Sequence, residues 1–188
     1  MVIDPEHGTI DSPLHPDQVF LLQGATKAVS ALSKAGFLLA IVTNQPASAK
    51  GKTTKRNLEL VHQKIVRLIE SKGGPIAGSY LCFHKSEDGC ACRKPRTGLL
   101  EEAIRRHGRP FNKGSIWMVG DGLIDIQAGH ALGLKTAFLA AHKSEAVQIL
   151  KDYHLHPTLW VEDLNRFATI LANKPARQAP RRINHAKL

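Results

Sequence analysis

No apolar run in the 188-residue chain approaches the roughly 20 residues that a bilayer span requires. The first residues also lack the charged-then-apolar layout of a secretory signal. These two absences point to a soluble, cytoplasmic protein with no membrane partner. Cysteine is scarce: there are three, and three cannot all pair within one chain, which excludes a disulfide framework. Acids are missing altogether from the segment Asn173 to Leu188, where Lys174, Arg177, Arg181, Arg182 and Lys187 supply half of the net charge of +10. That Pro-containing segment, 173–188, reads as a solvated, disordered basic tail. No base-reading motif accompanies the charge, so nucleic acid is not an expected partner. The excess of about five that remains elsewhere suits an anionic substrate.

What is present is a globular pattern. Hydrophobic residues at 43% and charged residues at 22% are enough for one core, and residues 1–172 read as one domain. Helical and apolar stretches alternate along it. Gly24 to Ala35 carries Ala28, Val29 and Leu32 on one stripe, and Phe37 to Val42 is a short continuous apolar run suited to a strand buried on both faces. A helix from Thr54 to Lys72 follows, with Leu58, Val61, Ile65, Leu68 and Ile69 on one side and Gly73-Gly74-Pro75 as its stop. Strands are expected at Ser79–Phe83, Ser115–Val119, Thr136–Ala140 and Thr158–Val161. Helices are expected at Gly98–His107, Ile124–Leu132, Glu145–Tyr153 and Leu164–Leu171. The alternation predicts an α/β fold, a three-layer Rossmann-like parallel sheet with helices on both faces. Ligands on such sheets sit beyond the carboxyl ends of the strands, so the stretches after Val42, Phe83 and Val119 are where chemistry is sought.

All three cysteines fall within eleven residues, as Cys82-x-His84-x5-Cys90-x-Cys92. Four soft or borderline donors make a closed tetrahedral Zn²⁺ set with no open position, hence a structural ion. Arg93 and Lys94 follow at once, so a clipped loop would hold two cations in place for a phosphate. Thr43-Asn44-Gln45, after the first internal strand, offers hydroxyl and amide donors for phosphate oxygens. Gly120-Asp121-Gly122 with Asp125 sets two carboxylates four apart at a strand-to-helix turn, which suits Mg²⁺ with substrate phosphate. Each has a plainer reading, as a polar turn and as a helix N-cap. Ala49 to Thr53 lacks the spacing of a nucleotide-binding loop and is set aside.

Together, T-N-Q, C-x-H…C-x-C-R-K-P and G-D-x-x-x-D-x-x-A-G resemble the haloacid dehalogenase-like phosphohydrolases, in the branch with a zinc loop; the match runs from Gly24 to about Gly133. The resemblance implies a capless, HAD-like phosphatase domain, expected to be a monomer acting on a small phosphorylated sugar. Thr43, Asn44 and Gln45 would bind the transferring phosphate. Lys94 would neutralise it, Arg93 would contact substrate, Asp121 would bind catalytic Mg²⁺ and Asp125 would support that site. The expected substrate is D-glycero-D-manno-heptose 1,7-bisphosphate, cleaved at the 7-position, with histidinol phosphate as the alternative. Pro46 and Lys50 stand where the family pattern has Ser and Arg.

One family element is lacking. No D-x-D, whose first Asp attacks phosphorus and whose second transfers protons, occurs near Met1. Glu6-His7-Gly8-Thr9 is similar to the loop that follows that motif, which places the expected nucleophile just upstream of Met1. Two other readings stay open: Asp4 as a substitute nucleophile, and a phosphoryl-ligand binder unable to form the phosphoaspartate. The lacking strand is expected at the sheet centre, where its loss would leave backbone groups of two neighbours unpaired.

Overall fold

Thr54 accepts a hydrogen bond from the Asn57 amide at 3.0 Å and so opens the longest helix, while Asp163 caps the last one through the Arg166 amide at 2.7 Å. The computed structural model describes residues 2–3, 10–107, 112–139, 148 and 150–173. Strands β1 (Val2–Ile3) and β2 (Ile10–Asp11) form an antiparallel hairpin. Helix α1 (Ala25–Lys34) leads to β3 (Ala40–Asn44), α2 (Lys55–Lys72), β4 (Gly78–Cys82) and α3 (Gly98–Arg106). Then come β5 (Trp117–Gly120), α4 (Leu123–Ala131), β6 (Lys135–Leu139), β7 (Leu159–Val161) and α5 (Leu164–Ala172). Strand β3 pairs in parallel with β4, and β5, β6 and β7 form a second parallel set in that order.

Alternation along the strands sorts the helices into two layers. In β4, Tyr80 and Cys82 pack on Leu99 and Ala103 of α3, whereas Ser79 faces His62 of α2. In β5, Met118 packs with Ala128 of α4 and Leu100 of α3. Trp117 and Val119 turn the other way, to a cluster of Ala28 and Leu32 from α1 with Phe167, Ala168 and Leu171 from α5. Helices α1, α2 and α5 therefore cover one face, and α3 and α4 the other. The expected three-layer α/β arrangement is what folds.

Two expectations need correction. The strand expected at Phe37–Val42 is formed three residues later. The Phe37 amide closes α1 on the Leu32 carbonyl at 3.0 Å, and Phe37 and Leu39 pack into the α1–α5 cluster before β3 begins. An apolar run records burial, not the first ladder bond. The α2 stripe is also narrower than expected: Leu58, Val61 and His62 are its buried residues, and Ile65, Leu68 and Ile69 are half-buried. Of the helix expected at Glu145–Tyr153, Gln148 and residues 150–152 are helical. Residues 145–147 and Ile149, together with Asp4 and the tail beyond Asn173, lie outside the described residues. Among the described residues no pairing joins β3 to β5, so the parallel sheet stands in two pieces sharing their helical layers.

Helix α4 lies unusually close to the sheet. A Cβ on Gly129 would come within 2.5 Å of the Thr136 methyl and 3.0 Å of Met118 Cβ. Gly129→Ala is expected to lower unfolding free energy by about 1–3 kcal/mol through overpacking, read from the urea midpoint with the slope unchanged.

Candidate active site and metal-binding loop

The end of β3 delivers three polar side chains in succession. Strand alternation fixes the backbone there: the Gln45 amide bonds the Cys82 carbonyl at 2.6 Å and the Leu39 carbonyl takes the Ala77 amide at 2.7 Å. Odd-numbered residues of β3 thus turn their backbone groups to β4, and Val42 turns its carbonyl to the opposite edge. That carbonyl accepts the Lys94 ammonium at 2.8 Å. The same Nζ lies 2.7 Å from Asp125 Oδ1, in a pair where both side chains are about nine-tenths buried. Lys94 thus joins the carboxyl end of β3 to the first turn of α4, and the two expected catalytic strand ends come together.

Asp125 reaches Lys94 because of its surroundings. Its other oxygen accepts the Gly122 amide at 3.1 Å, folding the carboxylate back over the strand end. A Cβ on Gly120 would run into that carboxyl group, so the residue before Asp121 has to be glycine. Asp121 itself is exposed at the turn, at the carboxyl end of β5. Two carboxylates four residues apart therefore differ: one is buried and committed to Lys94, and the other lies exposed at the turn.

Within Thr43-Asn44-Gln45 the structure separates three roles that the sequence merged. Gln45 Nε2 donates to Thr43 Oγ1 at 3.2 Å, so the Thr43 oxygen accepts there and its own hydroxyl proton is left to another acceptor. Asn44 faces a different partner. Its Nδ2 donates to the Lys94 carbonyl at 3.0 Å and its Oδ1 accepts the Lys94 amide at 3.0 Å. Both backbone groups of Lys94 are gripped by one side-chain amide, so Asn44, expected among the phosphate donors, acts as a clamp on the cation. Sequence reasoning missed this because an Asn at a strand end looks the same in either role.

The four candidate metal ligands converge. Cys82, His84, Cys90 and Cys92 place their ligand atoms within 4.8 Å of one another. Cys92 Sγ is 3.1 Å from Cys82 Sγ and 3.4 Å from Cys90 Sγ, and Cys82 to Cys90 is 3.7 Å. His84 presents Nδ1, 3.2 Å from Cys92 and 3.6 Å from Cys82. Four donors around one ion with metal–sulfur bonds of about 2.3 Å would stand about 3.7 Å apart, so this slightly contracted group fits a tetrahedral ion of that size. The thiols carry the mark of crowding: burial, then hydrogen bonds and charge from Cys82 and Cys90, push Cys92 up to about 12. Burial also pushes Cys90 up, but its hydrogen bonds with Cys92, the Arg93 backbone and Cys82 outweigh it and leave the thiol below its ordinary value. A divalent cation relieves that conflict by taking thiolates.

The cations beside this loop are anchored to it. Arg93 Nη1 donates to the His84 carbonyl at 3.1 Å, and Arg96 Nη1 to the Cys90 carbonyl at 2.7 Å. Nothing in the sequence singles out Arg96; an arginine two residues beyond Lys94 carries no motif of its own. Asn44→Ala is expected to cost about 1–3 kcal/mol of stability, because it leaves two part-buried backbone groups of Lys94 unpaired. Gln45→Ala, which removes one long side-chain contact, is expected to cost less, and paired urea titrations measure the difference.

Known proteins resemble this chain in sequence and fold. Residues 91–167 match the HAD-hydrolase-like family. A D-glycero-beta-D-manno-heptose-1,7-bisphosphate 7-phosphatase of Neisseria meningitidis is 36% identical over 129 residues, covering 69% of this chain and 68% of its own length. The histidine biosynthesis bifunctional protein HisB of Legionella pneumophila is 31% identical over 134 residues, but those span 37% of its length. Among solved structures, the D,D-heptose 1,7-bisphosphate phosphatase of B. bronchiseptica, complexed with magnesium and phosphate, superposes with a TM-score of 0.74 at 30% identity over 84% of this chain and 87% of that one. With sequence and fold matched over this extent, the chain belongs to the HAD-like phosphohydrolases.

Proposed function

We propose that the chain is a phosphatase of sugar phosphate monoesters, and that its substrate is a heptose 1,7-bisphosphate cleaved at the 7-position. The observation that carries this reading is the Lys94 ammonium, held by the Val42 carbonyl and the Asp125 carboxylate at the shared end of β3 and β5, while Asn44 grips the Lys94 backbone. A buried cation fixed at both its tip and its backbone is suited to an anion that changes little in position as its charge shifts. The heptose bisphosphatases matched over most of both chains favour the sugar substrate over histidinol phosphate.

Each residue has a task in this reading. Lys94 neutralises the phosphoryl group, and Thr43 donates its hydroxyl to a phosphoryl oxygen with Gln45 fixing its direction. Arg93, tethered through one guanidinium N–H, offers the others to the substrate beyond the reacting phosphate. Asp121 holds Mg²⁺, with Asp125 behind it orienting Lys94. When bound, that ion supplies positive charge to the phosphoryl oxygens. The B. bronchiseptica relative is complexed with magnesium, which supports this assignment. The attacking carboxylate would enter between β3 and β5, whose facing edges are unpaired among the described residues. Its oxygen bonds phosphorus as the ester oxygen leaves with the sugar, and water then releases inorganic phosphate.

Zn²⁺ fills the Cys82–His84–Cys90–Cys92 group and fixes the loop that carries Arg93 and Lys94. Metal analysis of purified protein is expected to give one Zn²⁺ per chain, lost in Cys92→Ala, and chelation is expected to lower the Tm.

Phosphate release from heptose 1,7-bisphosphate with Mg²⁺ tests the activity. Lys94→Ala should reduce kcat/KM by about 10²- to 10³-fold. If the 188-residue chain turns over and Asp4→Asn abolishes it, Asp4 is the nucleophile. Turnover that requires translation from codons upstream of Met1 assigns the attack to that segment. Substrate binding without turnover in either form identifies an inactive ligand-binding relative.

A further inference from the structure

The metal-binding group is unevenly built. Cys82, at the end of β4, is 1% exposed, whereas Cys90 and Cys92 on the loop are half-buried and His84 is exposed. A small solute therefore reaches the loop sulfurs before it reaches Cys82. The spacing is uneven too: Cys92 Sγ stands 3.1 Å from Cys82 Sγ, closer than its 3.4 Å to Cys90 Sγ or the 3.7 Å between Cys82 and Cys90. A disulfide needs its sulfurs about 2.05 Å apart, so Cys82 and Cys92 lack about 1 Å of approach. Ten residues separate these two, which leaves the chain free to close, while Ala91 alone separates Cys90 from Cys92, and so small a ring strains the bond. Arg93 and Arg96, tethered to the His84 and Cys90 carbonyls, add positive charge to the same loop. Partial exposure, cationic surroundings and thiolate character are what make a cysteine reactive, and a cysteine that binds a metal is a thiolate.

We propose, resting on the Zn²⁺ reading of this group, that Cys82 and Cys92 form a reversible oxidation site, at which hydrogen peroxide makes a disulfide and the loop gives up its ion. The Cys92 thiolate attacks one peroxide oxygen: a sulfur–oxygen bond forms, the oxygen–oxygen bond breaks and hydroxide leaves. The Cys82 thiolate then attacks the Cys92 sulfur: the disulfide bond forms, the sulfur–oxygen bond breaks and a second hydroxide leaves. The two sulfurs lose two electrons, the peroxide gains them, and two protons from solvent turn both hydroxides into water. Because Cys82 stands at contact distance, it closes on Cys92 before a second oxygen is added. Of the four donors, His84 and Cys90 are left, too few for the closed set of a structural ion. Arg93 and Arg96 are tethered to the carbonyls of these same two residues, so oxidation loosens the stretch that holds Arg93. Lys94 keeps its own contacts, to Val42, Asp125 and Asn44.

The test treats the full chain with hydrogen peroxide and follows metal, thiols and linkage together. Zn²⁺ is expected to appear in solution, read with a chromophoric chelator, one ion for each pair of thiols lost. Cys90 alone is expected to remain open to iodoacetamide. Trypsin cuts after Lys85 and so separates Cys82 from the other two cysteines. The disulfide is therefore expected to join two tryptic peptides, which part on dithiothreitol, and dithiothreitol with added Zn²⁺ is expected to restore the metal content. Hydrogen exchange at 85–91 is expected to quicken about tenfold, while the Lys94 amide keeps its protection. The proposal is overturned if Zn²⁺ stays bound at peroxide concentrations that consume glutathione in the same tube. It is equally overturned if the bond joins Cys90 to Cys92, or if the product is a sulfinate that dithiothreitol does not reverse. A chain that holds no Zn²⁺ and still forms the Cys82–Cys92 bond overturns the Zn²⁺ reading and leaves the disulfide site standing, whereas a Zn²⁺-loaded chain that forms no such bond overturns the disulfide site alone.

Discussion

The arrangement of this molecule depends on one ammonium group. Lys94 Nζ touches a strand-edge carbonyl and a helix-borne carboxylate at less than 3 Å each, in a pair that is about nine-tenths buried. Taking a lysine and an aspartate out of water is costly, and their attraction roughly offsets that cost rather than adding net stability. Losing one partner is another matter, at about 3–5 kcal/mol, because a lone charge is left buried. The pair is therefore better understood as a geometric constraint than as a source of stability. It forces the end of β3 and the first turn of α4 together, and it does so at the place where the candidate site residues gather.

The metal loop enters the same constraint from the other side. Lys94 stands two residues after Cys92, and Asn44 grips its backbone, so the cation is fixed at both its root and its tip. Arg93 and Arg96 return guanidinium groups to carbonyls of His84 and Cys90, within the loop itself. Cationic side chains that would repel one another when free are thus spaced by the backbone they bond. Order in the loop and order at the ends of β3 and β5 become a single property.

Much of this was legible in the residues. The spacing of Cys82, His84, Cys90 and Cys92 announces convergence, because side chains so close in sequence have few other ways to be arranged. The placement of Asp121 at a strand end and Asp125 in the first turn of a helix was legible too. What escaped was anything decided by a partner distant in sequence. Asn44 is 50 residues from Lys94, and no local pattern tells an amide that binds phosphate from one that clamps a backbone. His62 sits on the buried stripe of α2 as a polar residue, and polarity removed it from a reading built on apolar periodicity. The late start of β3 has the same root: Phe37 and Leu39 are buried by α1 and α5, and burial alone looks like a strand.

The carbonyl of Val42 has one more implication. It points away from β4, along the edge where a further parallel strand would lie, and the lysine occupies it. A strand zipping alongside β3 finds its backbone acceptors open only as far as that residue. At Val42 it either stops or takes the acceptor for its own amide and hands the ammonium something better, such as a carboxylate. The lysine thus works as a register stop, setting how far a neighbouring strand advances and what side chain it must bring when it arrives.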